Sequence, residues 1–254
     1  MIRAGIYYQE SKLTSISRRG KSLDPAFEKI FKSKKWKSFF KKLQNENGDN
    51  IMVDGELYIH GVPLQVLSGL SQKHEYEEER HGDLEFWIFD FADNSRNAEE
   101  RAILLNSLDG HFDKEDNIKI NAQIKLSSYE TIKTIHDLWI RDGFEGAICR
   151  DASRLYGYGT RDDRMVKVKE FQEEEFEIIG LNNDNVRPED MTFKCITKDG
   201  KEFDSKPIGT REQKFRYIKD EKNIIGKMAT VKFFNLTPEG IPFINTMKCI
   251  RSYE

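Results

Sequence analysis

Four short stretches hold side chains suited to handling a phosphate. They are Asp54-Gly55-Glu56-Leu57-Tyr58, Trp87-Ile88-Phe89-Asp90-Phe91, Glu145-Gly146-Ala147-Ile148-Cys149-Arg150 and Lys167-Val168-Lys169, the last beginning 22 residues after Glu145. Each alone is ordinary: a turn, an apolar strand, a strand start, an exposed basic strand face. Their order carries more. Two carboxylates, Glu56 and Glu145, suit Mg²⁺, which takes oxygen ligands. Two lysines neutralise the α-phosphate of a nucleotide and the charge that develops on it during transfer. An aromatic ring from the second stretch stacks on a base. In outline this is nucleotidyl-transfer chemistry, provided that separate strands bring the four stretches to one cleft.

The elements that must do this are legible in outline. Gly5–Tyr8 and Leu13–Ser17 read as two strands joined by a polar turn. Asp24-Pro25 opens a helix, with Asp24 as N-cap and Pro25 at its first position. Phe27, Ile30 and Phe31, then Trp36, Phe39, Phe40 and Leu43, follow helical spacing with a break near Ser33. Asn45–Asn50 reads as a loop, Ile51–Ile59 as a strand with a bulge at Gly55, and Glu85–Phe91 as a buried strand. A helix over 97–105, strands over 118–120 and 122–126, a helix over 129–141 and a strand over 144–150 follow. Tyr156–Asp163 is Gly-rich loop, and Met165–Lys169 is a strand with a basic face. After Glu173-Glu174-Glu175 short strands and Gly turns dominate, with one basic helical piece over 211–219, the texture of a small β-barrel. The expected fold class is α+β, with a boundary that leaves 1–172 as one domain and 173–254 as a second.

Composition narrows the class. The 254 residues include 17 Phe, 9 Tyr and 3 Trp, enough for a core despite a mean hydropathy of -0.70. No apolar run approaches a membrane span, so a membrane partner is not expected. Cys149, Cys195 and Cys249 stand apart, and the five histidines lack ligand spacing. A reducing, cytoplasmic setting follows. The net charge of -3 hides a basic island: 18–42 carries ten Lys and Arg against Asp24 and Glu28, a net +8. Such a cluster is either a polyanion-binding surface or a solvated helix face.

The ordered set resembles the covalent nucleotidyltransferases, and within them the small, viral or phage type of ATP-dependent DNA ligase. Ser17-Arg18-Arg19-Gly20-Lys21 resembles motif Ia, Asp54-Gly55-Glu56-Leu57 motif III, and Trp87–Phe91 motif IIIa. Glu145–Arg150 resembles motif IV and Lys167-Val168-Lys169 motif V. From Gly180 the chain resembles the family's oligonucleotide-binding (OB) fold, with Leu236-Thr237-Pro238-Glu239-Gly240-Ile241-Pro242 leading to its last motif. The resemblance implies ATP and Mg²⁺ as cofactors and nicked double-stranded DNA as partner, handled by a monomer in replication, repair or recombination. A host's cytoplasm is implied if the source is viral. Glu56 would meet the ribose or the metal, Phe89 the adenine, Glu145 the metal, and Lys167 and Lys169 the α-phosphate. Arg18 would meet the ribose or the nick phosphate, and Arg3 matches the arginine that ends the K-x-D-G-x-R element of motif I.

One departure stands out. The family's nucleophile is the lysine of K-x-D-G, and the 254 residues contain no such element; with Arg3 as its end, Met1 stands at the glycine. Thr197-Lys198-Asp199-Gly200 has the wrong spacing and lies in a hairpin turn of the second domain. The chain is therefore expected not to adenylylate itself. At the tail, Phe243-Ile244-Asn245 stands where R-F-P is expected, leaving Lys248 and Arg251 as the basic residues there. Competing expectations are an RNA ligase or guanylyltransferase, and a nick-binding module without catalysis.

Overall fold

A tight hairpin starts the chain. Strands β1 (Ile2–Gln9) and β2 (Lys12–Ser17) pair antiparallel, and Glu10 and Ser11 between them both take positive φ, 50° and 64°. Two such residues match the right-handed twist of the strands they join. The structure, a computed structural model, describes residues 2–44, 51–159, 164–183, 187 and 190–251. The expected loop Asn45–Asn50 and the end of the Gly-rich segment, 160–163, lie outside the described residues.

The chain forms two compact units, Met1–Val168 and Lys169–Glu254. In the first, β3 (Val53–Tyr58), β4 (Glu85–Phe91) and β5 (Ile118–Ile120) join the hairpin in a sheet of order β2-β1-β3-β4-β5. All pairs are antiparallel except β4 with β5. Helices α1 (Asp24–Phe31) and α2 (Trp36–Leu43) lay Phe27, Ile30, Trp36, Phe39, Phe40 and Leu43 on one face of this sheet. That face is built from alternate strand residues: Ala4 and Ile6, Val53 and Leu57, Phe86 and Ile88. Gly55 belongs to it too, because a Cβ there would lie 2.5 Å from the Phe86 ring.

Helices α3 (Leu64–Ser71), α4 (Glu78–His81), α5 (Ala98–Ser107) and α6 (Tyr129–Arg141) complete the unit with a two-stranded ribbon, β6 (Ala147–Arg150) and β7 (Met165–Val168).

Two local expectations are corrected. Asp24 is not the N-cap of α1; Leu23 holds that place, and the Asp24 carboxylate instead accepts from the Ser15 amide (2.6 Å) and hydroxyl (2.8 Å), fastening the helix to β2. The expected strand 122–126 is absent. Gln123 trades both backbone bonds with the Asn106 side chain, which takes the place of a neighbouring strand.

The second unit carries β8 (Gln172–Asn182), β9 (Thr192–Ile196) and β10 (Glu202–Ser205), then α7 (Arg211–Lys219) and α8 (Glu221–Ile224). Strands β11 (Met228–Phe233), β12 (Asn235–Leu236), β13 (Pro242–Phe243) and β14 (Thr246–Ile250) follow. The main sheet has order β10-β9-β8-β11-β14. A parallel bridge between Pro207 and Met247 draws its two edge strands together. The described ladders stop short of a closed barrel, in keeping with the partly open OB fold. The α+β class therefore holds in both units.

Candidate active site

The opposite face of the first sheet is where the chemistry-bearing residues collect. Strand alternation puts Asp54, Glu56 and Tyr58 on that face of β3, and register sets Arg3 of β1 and Trp87 of β4 beside Glu56. Asp54 pairs with Asp90 and Gly55 with Ile88, so Phe89 is the extra residue of a bulge in β4. The bulge expected at Gly55 therefore takes its extra residue from the neighbouring strand. It re-aims the Phe89 side chain, whose ring lies 5.7 Å from the Arg3 guanidinium carbon.

Two aspartates fasten the β6–β7 ribbon segment over this face. Asp54, 2 % exposed, accepts from Arg3 Nε (3.0 Å) and Nη2 (2.5 Å) and from the Tyr156 hydroxyl (2.7 Å). Asp90, 4 % exposed, accepts from Arg101 Nε (2.8 Å) and Nη2 (3.2 Å) and from Arg150 Nη1 (2.5 Å). Arg150 also donates to the Gln123 side chain, whose amide donates in turn to the Phe89 carbonyl. Both buried aspartates have partners, without which their burial would be costly.

Arg150 reaches the sheet, and Ile148, two residues earlier on β6, shares its side. Lys167 is directly opposite Ile148 in the ladder and so points the same way. Lys167 and Glu56 consequently face each other from two sheets. Burial raises the Glu56 carboxyl above the ordinary carboxylate value, while Lys167 and Arg3 pull it back. Glu145 sits at one end of the face: Tyr58 is pushed up by burial first, then by the charges of Glu145 and Glu85. Tyr58, Trp87 and Phe144 pack around that end with centroids 5.2 to 6.4 Å apart. A cavity of about 450 Å³, lined by His60, Glu85, Trp87 and Phe144 among others, opens there.

Arg3, Glu56, Phe89, Glu145 and Lys167 are thus brought to one region. Arg18 is not among them by any contact; it is exposed in the tight turn that Ser17 and Lys21 close. Lys169 begins the second unit, where its ammonium lies 4.3 Å from the centre of the Phe234 ring. Lys248 pairs with Glu173 and Arg251 with Glu175, within that unit. Thr197–Gly200 forms the β9–β10 turn, with Lys198 paired to Glu174. Sequence reasoning missed the roles of Asp54, Asp90, Arg101, Arg150 and Tyr156. Three of these lie inside the motifs already marked, so an aspartate or arginine set among apolar neighbours was the available signal.

Comparison with known proteins agrees with this geometry. Residues 2–169 match the family model described as the ATP dependent DNA ligase domain. The DNA ligase of African swine fever virus (strain Badajoz 1971) is 26 % identical over 212 residues, covering 76 % of this chain and 49 % of that protein. The ligase of the Kenya 1950 pig isolate is 26 % identical over 211 residues, with the same coverage. The chain thus spans about half the length of the curated relatives it matches. Among solved structures, one from a study of DNA binding by Lig E DNA ligases superposes with a TM-score of 0.70 at 18 % identity, covering 98 % of this chain and 89 % of that one. The bacteriophage T7 ATP-dependent DNA ligase, in complex with ATP, gives 0.52 at 18 % identity with the same coverage. These two likenesses concern the fold. With two thirds of its length matched by the family model, this chain belongs to the ATP-dependent DNA ligase family.

Proposed function

We propose that this chain carries out the nucleotidyl-transfer chemistry of nick joining on double-stranded DNA, with 1–172 as the nucleotidyltransferase domain and 173–254 as an OB-fold domain that grips the duplex. The observation that carries the reading is the meeting of Lys167, from the ribbon, with Glu56, Arg3 and Phe89 on the sheet face. Adenine stacks on the face of Phe89 that Arg3 leaves open. Glu56 takes the ribose, and Lys167 neutralises the α-phosphate. Arg18, exposed at the edge of the sheet, meets the nick phosphate.

Glu56 and Glu145 offer hard carboxylate oxygens, although among the described residues no group of three or more His, Cys, Asp or Glu gathers here or elsewhere to hold a metal. The two carboxylates would hold Mg²⁺, a hard cation that takes oxygen ligands. When bound there it supplies positive charge to the phosphate oxygens.

In the sealing step the 3′-hydroxyl attacks the adenylylated 5′-phosphate. A P–O bond forms to the 3′ oxygen as its proton passes to water, the bond to AMP breaks, and AMP leaves with the electron pair. This step needs no covalent lysine. Self-adenylylation does, and the 254 residues hold no K-x-D-G. The chain is expected to seal a nick supplied already adenylylated, and to retain no label from ATP carrying a labelled α-phosphate. Absence of sealing above a Glu145→Ala control, with nick binding intact, selects the non-catalytic reading. Faster sealing of an RNA than of a DNA nick selects an RNA ligase. Among the described residues no helix is long and apolar enough to cross a membrane.

A further inference from the structure

The basic island resolves into a helix with two sides. On α2, Trp36, Phe39, Phe40 and Leu43 are buried against the sheet, while Lys37, Ser38, Lys41 and Lys42 are exposed. Lys34 is exposed in the turn that leads into the helix. Lys32 and Lys35 are engaged with Glu28 and Asp113, but Lys34, Lys37 and Lys41 pair with no carboxylate among the described residues. Three such ammonium groups, two on the helix and one in the turn before it, are exposed.

Their position matters more than their number. The face of the sheet that α2 covers is the apolar one. Arg3, Asp54, Glu56 and Phe89 occupy the other. The lysines therefore point away from the candidate active site, across a sheet and a helix layer about 10 Å thick or more. Double-stranded DNA has a persistence length of about 150 bp. A duplex seated at the candidate site does not bend round that layer to reach α2.

The chemistry of the surface selects its partner. Every aromatic or aliphatic side chain of α2 is buried, so the exposed side offers no apolar anchor of the kind that dominates protein interfaces. Lysine is depleted in such interfaces. Lysines that present point charges, without the fork of arginine, suit phosphates bound without regard to sequence.

We propose that the outer side of α2 is a second duplex-DNA-binding surface, which holds a segment separate from the one at the candidate active site. This does not rest on nick sealing: a chain that seals nothing would still show it.

The test is the triple variant Lys34→Gln, Lys37→Gln, Lys41→Gln, first checked for unchanged circular dichroism and melting. Its affinity for an intact duplex is measured as a function of KCl. Removing one lysine from a DNA phosphate lowers the slope of log K against log salt by about 0.9, so the slope should fall by about 3. In a bridging assay, the parent chain bound to a tethered, pre-adenylylated nicked duplex captures a second, differently labelled intact duplex. The variant keeps the first duplex and releases the second. An unchanged slope overturns the proposal, as does release of both duplexes together. Binding of polyglutamate that depends on the three lysines, with duplex binding unchanged, overturns it in favour of an acidic protein partner.

Discussion

The two faces of the first sheet are made by the same strands and obey opposite rules. On β3, Val53, Gly55 and Leu57 face a dry core, where neighbouring rings lie within van der Waals reach. Asp54, Glu56 and Tyr58, interleaved with them, face a layer of paired charges and aromatic rings. The core face is held by area removed from water, the site face by hydrogen-bonded ion pairs. The comparison shows that burial alone does not separate structure from chemistry here: Asp54 and Asp90 are as buried as Leu84 or Ile30, yet their side chains fix the ribbon that presents Lys167.

If that division is right, one residue from each face should be equally hard to remove. Phe86→Ala empties a core position and should cost about 3–5 kcal/mol. Asp90→Ala leaves Arg101, 2 % exposed, without its carboxylate, and should cost about 3–5 kcal/mol as well. Urea unfolding of both variants checks this. A cost near zero for Asp90→Ala would mean that the site face is merely decorated with charge.

Glu56→Gln sharpens the contrast, because it should separate activity from stability. Sealing of a pre-adenylylated nick should drop by about 100-fold or more, as when one charge-stabilising group is removed. Stability should not fall. Burial raises the Glu56 pKa in the folded chain, so the fold binds this proton more tightly than the unfolded chain does. Its contribution to stability then declines as pH rises from the ordinary glutamate value through the raised one. The glutamine variant should lack that decline, which thermal melts across the acid range will read. The acid limb of wild-type sealing should have its midpoint above the ordinary glutamate value, since the ionised form is the one that binds.

Tyr156→Phe removes only the hydroxyl that donates to Asp54. Arg3 still pairs with that carboxylate, so the cost should be about 1 kcal/mol. Its effect on sealing should exceed its effect on melting, because it loosens the ribbon rather than the core. Smallest of all, Lys198→Ala breaks an exposed pair with Glu174 and should leave the melting temperature unchanged.

Much of this arrangement was legible in the residue order, for physical reasons that also mark where legibility stops. Alternation along β3 separates the two faces without any structure, whereas on β4 the bulge at Phe89 shifts it and moves Asp90 to the site face. The spacing 36, 39, 40, 43 marks the buried side of α2, and Tyr129–Arg141 reads as a helix from end to end. What failed depended on distant partners. Asp24 looks like a cap until Ser15 claims its carboxylate. The 122–126 segment looks like strand until Asn106 takes its backbone bonds. Asp90 could not be assigned from its neighbours, because Arg101 and Arg150 lie 11 and 60 residues away. Helix α3 was missed because Ser68, Gly69 and Ser71 dilute the spacing of Leu64, Leu67 and Leu70.

The central claim is that side chains from the sheet and the ribbon enclose one AMP-sized site. A crystal structure of the chain soaked with AMP tests it most directly. The expected result is adenine against Phe89, the ribose at Glu56 and the phosphate within hydrogen-bond reach of Lys167. Well-ordered AMP bound elsewhere on the chain, with that face empty, would contradict it.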